Sequence, residues 1–158
     1  MSLVFRSRIV VLAVLALAAA PLTASATIEF NRGIAGVTLG MSTAQVQKVL
    51  GAPVRVERGT NDFGPFVTYR YLGLQVSFQG GRRVSTISTT RRGERTRGGL
   101  GVGTPEATLV QRIPALRCET FGTFRTCTLG KGNVGERITD FFITKGKVSR
   151  VVVGLVID

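Results

Sequence analysis

The sequence of 158 residues contains no histidine and no tryptophan, and it has only two cysteines. Histidine is the commonest general base and a frequent metal ligand, so its absence removes many catalytic and metal-binding arrangements. No nucleophile-elbow pattern occurs, and the glycine-rich segment 98–103 lacks the lysine of a phosphate-binding P-loop. The sequence therefore favours a binding protein over an enzyme, and it predicts no cofactor and no metal ion.

The amino-terminal segment 1–26 has the three parts of a secretory signal peptide. Arg6 and Arg8 precede an unbroken apolar run over 9–20, and Ala24-Ser25-Ala26 supplies the small residues that signal peptidase accepts. That run is shorter than the ~20 apolar residues needed to cross a bilayer. We expect cleavage after residue 26 and a secreted or extracytoplasmic protein (periplasm or cell envelope) without a membrane span.

Basic residues outnumber acidic ones by 21 to 9, for a net charge of +12. Loss of Arg6 and Arg8 with the leader lowers this by two, to +10. Such a charge attracts anionic envelope polymers, lipid headgroups or an acidic protein, although it also serves general solubility. Nucleic acid is disfavoured as a partner, because no aromatic residues interleave the arginines of segment 91–97 and an exported protein meets little of it.

Cys118 and Cys127 are the only cysteines of the chain, and both follow the leader. An even number of cysteines in an oxidising compartment predicts a disulfide. A zinc site is the alternative, but two thiolates without histidine would need carboxylates to complete the ligand shell.

The order of sequence patterns after the leader occurs twice, about 63 residues apart. Setting Gly40 against Gly103 also aligns Gly36 with Gly99. About 132 residues are enough for one compact domain and too few for two sizeable ones, so we expect the two copies to share one core. We also expect the protein to be a monomer. The predicted organisation is a signal peptide at 1–26, a first α+β repeat at 27–90, an Arg/Gly linker at 91–98 and a second α+β repeat at 99–158.

Each copy opens with a short helix. Ser42 and Gln45 have the spacing of a capping box, while Thr104 is the expected cap of the second helix, with Pro105 at the first helical position. Alternating apolar and polar residues then predict antiparallel strands at 54–58, 66–71, 74–78, 84–88, 117–121, 125–129, 138–144 and 148–156. The predicted fold class is α+β: two tandem helix-plus-four-stranded antiparallel repeats that share one sheet, with the helices on one face.

The sheet face away from the helices is the predicted binding surface, because one face of an antiparallel sheet can remain open to solvent. Phe142 stands out there, either as an exposed anchor or as a side chain packed beneath loops, since Phe141 and Ile143 already supply the core side. A loop with Asp62 and Phe63 is a second candidate, whereas Glu57, Asp62 and Asp140 have no spacing that indicates a catalytic pair. The alternation assigns to the open face Thr68, Arg70, Gln75, Ser77, Phe142, Arg150 and Val152.

The segment Gly36-Val37-Thr38-Leu39-Gly40-Met41-Ser42-Thr43-Ala44-Gln45-Val46, followed by Leu50-Gly51-Ala52-Pro53, resembles the repeat of the β-lactamase inhibitor protein (BLIP) family. It is also similar to the related small lipoprotein of the outer-membrane barrel-assembly machinery (BamE, also called SmpA/OmlA). The resemblance implies a short helix pair packed on a four-stranded antiparallel sheet, two such units in tandem, and a concave sheet that grips a protein. The positions of Cys118 and Cys127 also fit the disulfide of the inhibitor family.

The chain departs from both families at positions that matter for function. The turn at Tyr71-Leu72-Gly73 has no acid where the inhibitors place a key aspartate, and the chain has no tryptophan. A lipidated cysteine, typical of the barrel-assembly lipoproteins, is absent as well. The resemblance therefore implies a fold and a role in protein binding, and we do not expect potent inhibition of a β-lactamase.

Overall fold

The computed structural model describes residues 27–157, so the predicted signal peptide at 1–26 lies outside the described residues. Of these described residues, 49% are in strands and 11% are in helices. Its elements are β1 (Ile28–Glu29), β2 (Gly33–Ile34), β3 (Val37–Thr38), α1 (Thr43–Leu50), β4 (Arg55–Asn61), β5 (Gly64–Tyr71), β6 (Leu74–Gln79), β7 (Thr86–Thr89), α2 (Glu106–Arg112), β8 (Arg117–Phe121), β9 (Phe124–Leu129), β10 (Arg137–Thr144) and β11 (Lys147–Leu155).

Eight of these strands form one antiparallel sheet in the order β4-β5-β6-β7-β11-β10-β9-β8, and β1-β2-β3 form a separate small sheet. The large sheet is continuous across its centre, where β7 pairs with β11 and Ile87 lies opposite Val153. Because paired residues point to the same face, this register also decides which side chains meet across neighbouring strands.

The predicted fold class is wrong. The chain is mostly β, with an eight-stranded sheet and a separate three-stranded sheet, and not two helix-plus-four-strand α+β repeats. The helices have only eight and seven residues, and each contributes one buried side chain, Val46 or Leu109. Two such short helices cannot form a layer over a wide sheet, so β1–β3 supply further cover with Ile28, Ile34 and Val37.

The core lies between the large sheet and the elements packed on one of its faces. Tyr69 on β5 and Phe78 on β6 meet edge to face, with ring centroids 4.9 Å apart. Phe141 on β10 is fully buried and meets the Phe30 ring edge to face, with ring centroids 6.1 Å apart. Burial of every second strand residue, as the sequence predicts, leaves the intervening side chains on the opposite, open face.

The two helices begin in different ways. Ser42 and Gln45 form the predicted capping box: Ser42 Oγ accepts from the Gln45 N–H at 3.3 Å, and Gln45 Oε1 accepts from the Ser42 N–H at 2.8 Å. The predicted cap of α2 is wrong, since Pro105 occupies that position without a side-chain hydrogen bond. Thr104 Oγ1 instead accepts from the Gly101 N–H at 3.0 Å, which satisfies a buried donor in the preceding turn.

The segment predicted as an Arg/Gly linker, 91–98, connects β7 to the part of the chain that leads into α2. Glu94 and Thr96 are buried there. The backbone N–H groups of Thr27 and Ile28 both donate to the Arg95 carbonyl, at 2.8 and 2.9 Å. These hydrogen bonds fasten the amino-terminal strand to the segment, which therefore helps to hold β1 over the core.

Candidate binding face

The open face of the eight-stranded sheet holds the polar residues that the alternation assigned to it. Arg70 lies opposite Gln75, Gln75 opposite Ser88, and Ser88 opposite Val152. Thr68 and Ser77 form the neighbouring pair. Among the residues described, no helix and no strand of the small sheet packs on this face, because their apolar side chains belong to the core on the other side.

Polar side chains of the first four strands, β4–β7, are largely paired with one another. Arg70 Nε lies 2.7 Å from Glu57 Oε1, and Arg55 Nε approaches the same carboxylate oxygen at 3.3 Å. The hydroxyl groups of Thr68 and Ser77 are hydrogen-bonded at 3.0 Å. These contacts hold the side chains in place before any partner arrives, which reduces the conformational entropy lost on binding.

Arg150 and Phe142 form the main contact on the open face of the other four strands, β8–β11. The two residues are opposite each other on β11 and β10, and the Arg150 guanidinium carbon lies 3.9 Å from the centroid of the Phe142 ring. Phe142 is half-buried, whereas Arg150 is exposed. The guanidinium thus covers the aromatic ring in a cation–π contact, and an approaching partner meets Arg150 first.

Two depressions adjoin Arg150. A small cavity of about 150 Å³ is lined by Arg70, Gln75 and Ser88, among others. A wider cleft of about 430 Å³ is lined in part by Phe142 and Phe124. Arg150 and Thr90 line both of them. A partner side chain in either depression would contact this arginine, so Arg150 lies at the centre of the candidate surface.

Asp62 and Phe63 lie elsewhere. They form the turn between β4 and β5, where the Phe63 N–H donates to Asn61 Oδ1 at 3.0 Å. Arg70 lies six residue steps along β5 from Gly64, a distance of about 20 Å at ~3.3 Å per residue. Phe63 is 50% exposed and lines a different cleft of about 440 Å³. The residues predicted to bind a partner are therefore divided between two separate places.

The acidic residues considered for catalysis also lie apart. Glu57 on β4 and Asp140 on β10 are five strand positions from each other, or about 24 Å at ~4.8 Å per strand. Asp140 Oδ1 accepts a 2.6 Å hydrogen bond from Thr128 Oγ1. Burial raises the pKa of Asp140, and the Thr128 hydrogen bond partly opposes that rise. Together with Asp62 on its distant turn, these carboxylates do not form a pair.

Cys118 and Cys127 form the predicted disulfide, which joins directly opposite positions of β8 and β9. The Glu106 carboxylate comes within 4.8 Å of both sulfur atoms. It is paired with Arg125, whose Nε lies 2.8 Å from Glu106 Oε1, and the disulfide-bonded sulfurs carry no thiolate charge. This cluster therefore stabilises the hairpin and does not present metal ligands.

Two exposed aromatic residues of the β8–β9 hairpin were not singled out by the sequence. Phe121 is 88% exposed and Phe124 is 67% exposed, and they face each other across the turn Gly122-Thr123. A two-residue turn places its flanking residues side by side, so this spacing was the pattern that could have found them.

Within residues 27–157, no helix is long and apolar enough to cross a membrane. No protein-family model and no curated protein matches the chain. Two solved structures are similar in fold. One is a DUF4309 family protein (YjgB) from Bacillus subtilis, with 17% identity, a TM-score of 0.54, and 84% of this chain and 90% of that protein covered.

The other solved structure is an extracellular protein containing a SCP domain from Bacillus anthracis, with 11% identity and a TM-score of 0.50. The match covers 73% of this chain and 43% of that protein, so the chain spans less than half of its length. At these identities the similarity concerns the fold alone. Neither of these two structures is described as a member of the inhibitor or barrel-assembly families, so the resemblance to those families stays a prediction.

Proposed function

We propose that the protein is an exported, non-enzymatic module that binds a protein partner through the open face of its eight-stranded sheet. The observation that carries this proposal is the exposed Arg150 above Phe142, between two depressions on a face that no described element covers. Arginine and aromatic side chains contribute disproportionately to protein–protein binding energy. The paired polar residues around Arg70 provide a rigid surrounding surface.

Export is supported by the signal-peptide pattern at 1–26 and by the Cys118–Cys127 disulfide, which suits an oxidising compartment. The resemblance to the inhibitor family supports a protein as the partner. The partner would be an extracytoplasmic protein that the protein meets after the leader is removed.

Site-specific photocrosslinking tests this proposal. A benzophenone amino acid replaces Gln75, which is exposed on the open face, or Gln47, which is exposed on α1. Each mature variant is then irradiated with the envelope fraction of the producing organism. We expect a discrete crosslinked protein from position 75 and none from position 47. Equal crosslinking from both positions, or none from position 75, would contradict binding through this face.

A second candidate is electrostatic binding to an anionic envelope polymer or to lipid headgroups, which the charge of +10 after leader removal favours. Salt separates the two functions, because charges on the surface are screened beyond about 8 Å at physiological ionic strength. Crosslinking from position 75 that persists at a few hundred millimolar salt supports the specific protein contact. Its complete loss supports the electrostatic alternative.

A further inference from the structure

The tip of the β8–β9 hairpin is the most exposed apolar feature among the described residues. Phe121 ends β8 and Phe124 begins β9, and only Gly122 and Thr123 separate them. The two rings belong to directly paired residues and are 88% and 67% exposed. Exposed aromatic pairs of this kind are uncommon on soluble surfaces unless they contact a partner or a membrane.

The hairpin is held rigidly behind this tip. The Cys118–Cys127 disulfide crosses the two strands three residues before Phe121 and three after Phe124. Arg125, next to Phe124, is fastened by Glu106 and also donates to Thr120 Oγ1 at 3.0 Å. A rigid tip can present its two rings without first losing the conformational freedom of a loose loop.

The neighbouring turn at the same end of the sheet is basic. β9 pairs with β10 through Arg125 opposite Ile143, so the β10–β11 turn lies beside the hairpin tip. Lys145 and Lys147 flank Gly146 in that turn, and all three are exposed. The acids on the adjoining elements are Glu119 and Asp140, which lie on the open face, and Glu106, which is already paired with Arg125.

We propose that this end of the sheet binds the surface of an anionic lipid bilayer, with Phe121 and Phe124 inserted at the level of the headgroups and Lys145 and Lys147 in contact with anionic headgroups. Apolar rings beside lysines match the interface, where acyl chains begin beneath a negatively charged layer. Phe124 also lines the cleft beside Arg150, so this site adjoins the open-face surface, and the two are separated by different readouts.

The absence of tryptophan from the chain makes the test direct, since one introduced tryptophan reports on its own position. Mature Phe124→Trp is mixed with phosphatidylglycerol–phosphatidylcholine vesicles or with pure phosphatidylcholine vesicles. Phe121→Trp serves as a second reporter, and Phe63→Trp, half-exposed on the β4–β5 turn, is the matched control. We expect a blue shift and quenching by brominated acyl chains for Phe124→Trp on the anionic vesicles only.

The double substitution Lys145→Glu/Lys147→Glu in the Phe124→Trp protein should weaken partitioning at least about tenfold, because each lysine near an anionic surface adds to binding. Circular dichroism verifies that every variant is folded. An unchanged spectrum for both hairpin reporters would overturn the proposal, and so would an equal shift for Phe63→Trp. A shift of equal size on pure phosphatidylcholine would overturn the role of the lysines. Crosslinking from position 75 is a separate readout, so either proposal can fail without the other.

Discussion

The two groups of four strands use their open faces differently. In β4–β7 the polar side chains mainly contact one another, as in the Glu57–Arg70 ion pair and the Thr68–Ser77 hydrogen bond. In β8–β11 an arginine covers an aromatic ring, a disulfide fastens the outer hairpin, and two phenylalanines project at its tip. The difference shows how one continuous sheet combines a surface of polar side chains that mostly contact one another with groups that remain available to a partner.

Removing a large core side chain from either group should have the largest effect. Phe78 and Phe141 are both fully buried, one in each group. We expect Phe78→Ala and Phe141→Ala each to lower the free energy of unfolding by about 3–5 kcal/mol. Since β7 pairs with β11, each variant should still unfold in a single transition in a urea titration followed by circular dichroism. Two separate transitions would show that the groups fold independently.

Loss of the disulfide should affect the second group next most strongly. A bridge with a sequence separation of nine restricts the unfolded chain by about 2.7 kcal/mol in the chain-entropy estimate. Cys118→Ser/Cys127→Ser should therefore lower the free energy of unfolding by about 2–3 kcal/mol. Treatment of the wild type with a reductant is the control and should give the same loss. An unchanged midpoint in guanidinium would contradict a stabilising role for the bridge.

The start of α1 offers a smaller and more local effect. Ser42→Ala removes the side-chain acceptor of the capping box, so we expect a loss of about 1 kcal/mol. Ser42→Asn keeps an acceptor at the cap and should retain most of the stability. A loss as large as that of the core substitutions would mean that Ser42 has a role beyond capping.

Substitution of Asp140 should produce the smallest change in the free energy of unfolding, and that change should depend on pH. Burial raises the pKa of this carboxyl in the folded protein, so the folded state keeps its proton to higher pH than the unfolded chain does. Stability therefore falls as pH rises through the window between the unfolded and folded pKa values. Asp140→Asn keeps the acceptor for Thr128 and removes the charge. We expect a gain in stability at neutral pH that vanishes below the ordinary aspartate pKa. A gain that is constant with pH would exclude the charge as its cause.

Local periodicity was sufficient to find the eight long strands and the face on which Arg70, Gln75 and Arg150 lie. The bounds of β8 coincide with the predicted 117–121. Periodicity could not find β1–β3, because two-residue strands contain no repeat of the pattern. Nor could periodicity show that the fold is mostly β, because that depends on how little of the core the two short helices cover.

Contacts that depend on the exact geometry of a turn or on strand register were beyond the sequence pattern. The role of Thr104 is set by Gly101 and not by α2, because the preceding turn brings that N–H to the hydroxyl. The Arg150–Phe142 contact depends on the register of β10 and β11, which shifts between Phe142 and Ile143.

Substitution of Arg150 is the most direct test of binding through the open face, with Arg112 as a matched control. Both arginines are exposed, but Arg150 lies on the open face and Arg112 ends α2 on the other side of the sheet. The partner identified by crosslinking from position 75 is titrated against mature wild type, Arg150→Ala and Arg112→Ala. We predict at least about a tenfold loss of affinity for Arg150→Ala, as for an arginine at the centre of an interface, and no change for Arg112→Ala. Equal losses for the two variants, or none for Arg150→Ala, would contradict binding through the open face.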